Sequence, residues 1–267
     1  MKEIRKTLAV FKVRWPEVTL IVALFVINSA LIIFRPNVQK SVVPVYVVFS
    51  LISLALMIVG FILNYGFLRT IFLDDTKRHS PVVLVKLGSH FFWRMFVFGI
   101  LMVIFHFFLQ WLISLPIAPY ICPDISLLQR AVKCPMFYAF QASAASLVLV
   151  KLTLFIPALI FVLDCSFHES FGLLKHCKLS KAIEATLLFC FTILFGMIFW
   201  AISLNLKEDY TELYYCSMFL RSGIMSFLTL AAATMAVRYV ASLALACGKI
   251  EKPVDSETET LKTPPEP

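Results

Sequence analysis

Five polar side chains interrupt long apolar runs and are the residues most able to do chemistry: Lys151, Arg221, His106, Gln110 and Asn28. Lys151 lies nine positions into the run Ala142–Leu163. A charge at that depth costs about 2.5–3.5 kcal/mol on insertion scales, and such residues usually face a bundle interior or a water-filled cavity and mark a site. The alternative is that its stem carries the ammonium towards the outer headgroups, a path of roughly 13 Å at the helical rise. His106 and Gln110 share a helix face at i, i+4, Asn28 lies about two-thirds across the first run, and Arg221 sits near the outer end of the last. These five are expected to line the outer half of a bundle. With cations and no intramembrane carboxylate, such a pocket favours an anion, for example a phospholipid headgroup. The plainer use of Asn28, His106 and Gln110 is hydrogen bonding between helices, worth about 0.6 kcal/mol each.

Other chemistries are poorly served. There is no Walker loop, dinucleotide glycine motif, HExxH or GxSxG. Asp164, Cys165, His168, Glu169, His176 and Cys177 are metal-ligand types, yet their spacing fits no zinc pattern, so no metal or cofactor is expected. Cys122 and Cys134 share the third interhelical loop and are disulfide candidates if that side is oxidising, with Cys216 as an alternative partner. In the sixth run Ser222, Ser226, Thr229, Ala233 and Ala236 recur at helical spacing, which suits close packing within the bundle or a homo-oligomer seam.

The elements that position these residues follow from composition. The 267 residues are 60% hydrophobic and 15% charged, with 26 Phe and mean hydropathy +0.89. Soluble domains are roughly half apolar and about a quarter charged, so a water-soluble enzyme, a disordered chain and a disulfide scaffold are excluded. Six runs reach spanning length, Val18–Phe34, Val43–Phe67, Met95–Ile117, Ala142–Leu163, Thr186–Leu204 and Met218–Val237, against the 20 or so residues a helix needs. They are apolar on every side, not alternating as barrel strands are. The expected fold is all-α: a polytopic membrane bundle of six transmembrane helices.

Charge sets the orientation. The N-terminus, second and fourth loops and tail hold 15 Lys and Arg, against 5 in the other loops, which places both termini in the cytoplasm. The formal net charge of +8 then reflects that bias and calls for no nucleic acid. Trp15 and Trp93 at inner ends and Trp111 and Trp200 near outer ends fit an interfacial belt. Amphipathic surface helices are expected before spans one, three and five. Ile4, Leu8, Phe11 and Trp15 form the first stripe, Ser80-Pro81 opens the second, and Ser166 to Glu169 is a capping box. Three segments result: an amphipathic cytoplasmic helix over 1–17, a transmembrane domain over 18–248 and a disordered tail over 249–267.

The residues Tyr65-Gly66-Phe67-Leu68-Arg69, His90-Phe91-Phe92-Trp93-Arg94, Phe155-Ile156-Pro157-Ala158-Leu159 and His168-Glu169-Ser170-Phe171 carry a further likeness. With them the chain resembles poorly characterised six-span membrane families that include the glycerophosphodiester phosphodiesterase membrane-domain family. The resemblance covers most of residues 40–245 and implies architecture more than activity. The reading that results is a non-enzymatic multi-pass protein, in the plasma or cytoplasmic membrane, with membrane lipids as partners. It would hold a lipid or amphipathic anion in the outer-half pocket. A small-molecule transporter using the same pocket is the alternative, and a membrane-embedded lipid enzyme the weakest one.

Overall fold

The computed structural model describes residues 2–38, 43–73, 77–114, 134–206 and 211–247. Among them are nine helices and no strand: α1 Lys2–Val13, α2 Trp15–Val38, α3 Val43–Leu73, α4 Pro81–Ser114, α5 Pro135–Val148, α6 Val150–Leu163, α7 Phe167–Leu174, α8 Ile183–Leu206 and α9 Thr211–Ala246. In lipid every backbone N–H and C=O must be satisfied within the segment, and a helix does this locally. Helices α2, α3, α4, α8 and α9 are each long and apolar enough to cross a membrane, and α5 with α6 passes the same test only as a pair bent by 49°, which brings the number to six if the two count as one span. The chain is thus a helical membrane bundle. Its outer faces are apolar: α4 alone exposes Phe96, Val97, Ile100, Val103, Ile104 and Phe108.

The helix expected to open at Ser80-Pro81 runs on into the third span as α4, unbroken from Pro81 to Ser114. Ser80 starts it, its carbonyl accepting from Leu84 N at 3.2 Å. No Pro or left-handed residue interrupts it afterwards, so the helix continues straight into the bundle. Before span five, α7 is separate and opens with the expected capping box between Ser166 and Glu169. Before span one, α1 is likewise distinct, set off from α2 by a turn at Arg14. It lies across one end of the bundle: Phe11 meets the rings of Phe67 in α3 and Phe227 in α9, while Ile4 N donates to Glu184 of α8. This end also carries the C-terminal end of α9 and is called the termini end below.

The foreseen apolar stripe of α1 is divided. Phe11 is buried against the bundle, whereas Leu8 and Trp15 stay exposed. Residues 249–267, expected to be disordered, lie outside the described residues.

Helices α3 and α4 approach to backbone contact. A Cβ placed on Gly66 would fall on the Leu84 carbonyl, and one on Gly88 would fall on the Ile62 carbonyl. Two backbones in contact leave no side chain to move aside, so glycine is required at both positions. Gly99, on the same helix, has open space around it. Gly66→Ala or Gly88→Ala is therefore expected to lower the unfolding midpoint in detergent by the equivalent of at least about 1–3 kcal/mol. Gly99→Ala should leave it unchanged or slightly raised, and an equal loss in all three variants would refute this account.

Candidate functional site

A cavity of about 410 Å³ opens at the termini end, between α1, the start of α8 and the last turns of α9. Its charged lining is Lys6, Lys181 and Arg238 against Glu3 and Glu184, with Tyr239 beside them. Glu3 accepts from Lys6 Nζ at 2.7 Å and lies 3.9 Å from Arg238 Nε. Glu184 stands in the first turn of α8, where the free amides of a helix start favour a carboxylate, and its carboxylate receives Ile4 N at 2.9 Å. The cavity sits where the apolar run of α8 begins.

What holds α1 as one wall is a buried ion pair. Arg14 is fully buried and Glu17 is 5% exposed. The guanidinium donates to the Glu17 carboxylate through Nε and Nη2, donates to Thr70 Oγ1 at 2.7 Å, and stacks 4.4 Å over the Phe67 ring. The other oxygen of Glu17 accepts His79 N at 2.7 Å, and Arg78 Nε donates to Val13 O at 2.7 Å. One pair therefore ties α1, α2, α3 and the segment leading into α4. In the sequence Arg14 counted only as an inner positive charge and Glu17 went unused. The available signal was the Arg14-Trp15-Pro16-Glu17 spacing, an i, i+3 pair around a proline that starts α2.

The five residues read as one outer pocket are not gathered into one. Helices α6 and α9 run in the same direction, with the Phe155 and Tyr239 rings 5.6 Å apart. Lys151, one turn before Phe155, is thus level with Met235, which lines the termini-end cavity. Arg221 lies fourteen residues earlier in α9, about 21 Å further along the bundle at the helical rise. The apolar run starting at Ala142 misplaced Lys151. The span begins at Pro135 and bends at Leu149, so Lys151 falls in its half nearer the termini end. Its charge is felt by Cys177 in the segment between α7 and α8, whose thiol burial pushes up to about 11 against a smaller opposing pull from Lys151.

The other three make local bonds. Asn28 is buried and its Oδ1 accepts from Ser53 Oγ at 2.6 Å. Gln110 Nε2 donates to His106 Nε2 at 2.6 Å, and Ser146 of α5 lies 3.4 Å from His106 Nδ1. Ser222 shares a hydrogen bond of 2.7 Å with Ser29, placing that part of the small-residue stripe inside the bundle against α2. Ala236 is fully buried, while Thr229 is exposed and Ser226 and Ala233 are half-buried. Cys134 is disulfide-bonded; Cys122 lies outside the described residues, and Cys165, Cys177, Cys190, Cys216 and Cys247 are free. Among the described residues no group of three or more His, Cys, Asp or Glu is placed to hold a metal ion.

Two of the motifs singled out in the sequence, those ending at Arg69 and Arg94, meet at one joint of the termini end. Arg69 donates to the carbonyls of Phe161 and Val162, the last of α6, and its guanidinium lies 5.2 Å from the Phe72 ring and 5.7 Å from that of Phe91. Arg94 Nη1 lies 2.6 Å and His90 Nε2 3.3 Å from Asp164 Oδ1, and Asp164 ends α6 in the left-handed region at φ 49°. Compared with known proteins, the chain matches no family model, no curated relative and no solved structure.

Two tests follow from these contacts. Glu17→Gln leaves Arg14 buried without its counter-charge and is expected to destabilise by about 3–5 kcal/mol, read as a fall in the detergent unfolding midpoint; an unchanged midpoint would mean the pair is not closed. At Asp164, burial works against the carboxylate, but hydrogen bonds from Arg94 and His90 outweigh it and hold the group below the usual carboxylate range. Its contribution is therefore present above the unfolded pKa, about 3.9, and is lost as pH falls through the lower folded value. The pair is exposed, so the gap between wild type and Asp164→Asn should be no more than about 1 kcal/mol at pH 7 and should shrink below pH 4. A gap that widens on acidification would contradict the assignment.

Proposed function

We propose that this is a non-enzymatic multi-pass membrane protein that holds the headgroup of an anionic lipid, or a similar amphipathic anion, at its termini end. The observation that carries the reading is the cavity where Lys6, Lys181 and Arg238 converge at the start of α8. Cations gathered at the start of a spanning helix favour an anion, and such a helix start would lie near the depth of lipid phosphates. The site thus moves from the outer half, where the sequence pointed, to the opposite end. The likeness to the membrane-domain family is kept within this proposal, because its motif residues build the joint that frames the same end.

Native mass spectrometry in mild detergent tests this, with wild type beside Lys181→Ala and Arg238→Ala. A retained phospholipid is expected on wild type and should be depleted in both variants. Wild type arriving bare, or equally loaded variants, would remove the reading. The transporter alternative rests on one observation, the 49° break at Leu149 beside Lys151, since broken helices build substrate sites in carriers. It requires Lys151→Cys to be water-accessible in turn from both sides.

Orientation belongs to the same proposal: the positive-inside count supports a cytoplasmic termini end. Cys177 is buried and makes a poor reporter, whereas Cys216 and Cys247 are exposed near opposite ends. In single-cysteine variants of intact cells, an impermeant maleimide should label Cys216, and Cys247 only after permeabilisation. The reverse pattern would invert the topology.

A further inference from the structure

We propose that the groove between α1, α2 and α9 holds one acyl chain of a membrane phospholipid, at a site separate from the charged cavity. The groove encloses about 440 Å³ and runs along α2 from Trp15 to Ile27, with Phe11 of α1 and Phe227 of α9 on its other side. On α2 its shape follows from side-chain size. Trp15, Thr19, Ala23 and Ile27 succeed one another at i, i+4 and so form one row along the helix, in which two short side chains stand between two large ones. On the opposite wall the Phe11 and Phe227 rings meet edge to face, with centroids 5.4 Å apart.

The dimensions select the occupant. Trp15 to Ile27 is about 18 Å of helix at the helical rise, so about 440 Å³ spread over that length leaves a channel roughly 5 Å across. One hydrocarbon chain fits that width, because neighbouring carbons lie about 3.5–4.0 Å apart, whereas a helix needs about 10–12 Å. Length argues the same way. Helix α2 continues to Val38, yet the groove stops halfway along it. A partner helix would follow the whole span, while one leaflet offers about 15 Å of hydrocarbon.

Polarity gives the direction. Apart from the Thr19 hydroxyl and the Trp15 ring nitrogen the lining is apolar, and Asn28, just past Ile27, is buried and bonded to Ser53. At the other end Trp15 is exposed, an indole of the kind that prefers a membrane interface, and Lys12 is exposed in the last turn of α1. The headgroup therefore lies at Trp15 and the chain points to Ile27. Ile27 is itself exposed on the outer surface of a spanning helix, so the groove fills from the surrounding bilayer, whose chains belong to phospholipids. Phe227 precedes Met235 of the charged cavity by eight residues of α9, about 12 Å, so each site can be lost without the other.

The test titrates the purified full-length chain in mild detergent with palmitoyl-oleoyl phosphatidylcholine, a lipid without net charge, and reads occupancy by native mass spectrometry. One lipid per chain is expected on wild type. Dioctanoyl phosphatidylcholine, whose chains reach only about halfway along the groove, should bind at least about tenfold less tightly for want of wall contacts. Ala23→Phe puts a ring where chain carbons would lie and should weaken the long-chain lipid by at least about tenfold, with Thr19→Leu as a second variant in case the first folds poorly. Gly99→Leu, in open space on α4, should bind as wild type does. Equal binding of the two phosphatidylcholines, or full binding to a folded Ala23→Phe or Thr19→Leu, would overturn the inference. So would palmitate binding more tightly than either lipid, or a wild-type dimer that Ala23→Phe dissociates. If phosphatidylcholine does not bind while the anionic lipid of the charged cavity is retained, this inference falls and the proposed function stands.

Discussion

The buried pair of Arg14 and Glu17 is the constraint on which the termini end depends. Two charges removed from water cost several kcal/mol each, and the offset here is geometric. The guanidinium has Glu17, Thr70 and the face of Phe67, and the carboxylate has both Arg14 and the amide of His79. These partners belong to different elements, so they come together only when α1, α2, α3 and the segment before α4 are all in place, and among the described residues Arg14 Nη1 is left without a partner. An apolar pair of similar volume would pack without demanding that coincidence. The ion pair therefore acts as a registry device, and what it registers is α1, one wall of the charged cavity.

A second constraint acts without charge. Gly66 and Gly88 let α3 and α4 approach to backbone contact, which brings Arg69 on α3 within reach of the last carbonyls of α6 and Arg94 on α4 within reach of Asp164. Helix ends leave carbonyls without partners, and in a membrane protein an arginine is well suited to satisfy them, because it brings several donors and a cation to the negative end of the dipole. The joint explains why α6 can stop sharply at a left-handed Asp164 and turn into α7. Close helix packing and terminal capping are thus one arrangement, since the second needs the first.

Much of the fold was legible because bilayer thickness imposes it. Runs of twenty apolar residues have few alternatives to a spanning helix, so the long apolar helices and the capping box at Ser166 could be read directly, whereas the break of the fourth run falls at Leu149 and leaves Pro157 inside α6. Packing could not. Hydropathy says that Lys151 is in a span, but its depth depends on where that span starts, and Pro135 to Gln141 are not apolar enough to announce it. Likewise Arg14 looks like any inner-loop cation until Thr70, 56 residues away, is placed beside it. The cavity residues were missed for the same reason: Lys6, Lys181 and Arg238 come from three elements, and each has an ordinary explanation in isolation.

The two ends of the bundle use polar residues differently, and this bears on Lys151. Towards the far end, where Arg221 is the exception among these residues, neutral groups pair locally, as Asn28 with Ser53, Ser29 with Ser222, and Gln110 with His106. Such bonds settle helix contacts and leave little potential. Towards the termini end the groups are ions, and ions act over distance in a medium of low dielectric. Lys151 is level with Met235 at the cavity and its charge already reaches Cys177. It need not line the cavity to matter there. A half-buried cation at that level adds to the positive potential of this end of the bundle, beside the charges of Lys6, Lys181 and Arg238.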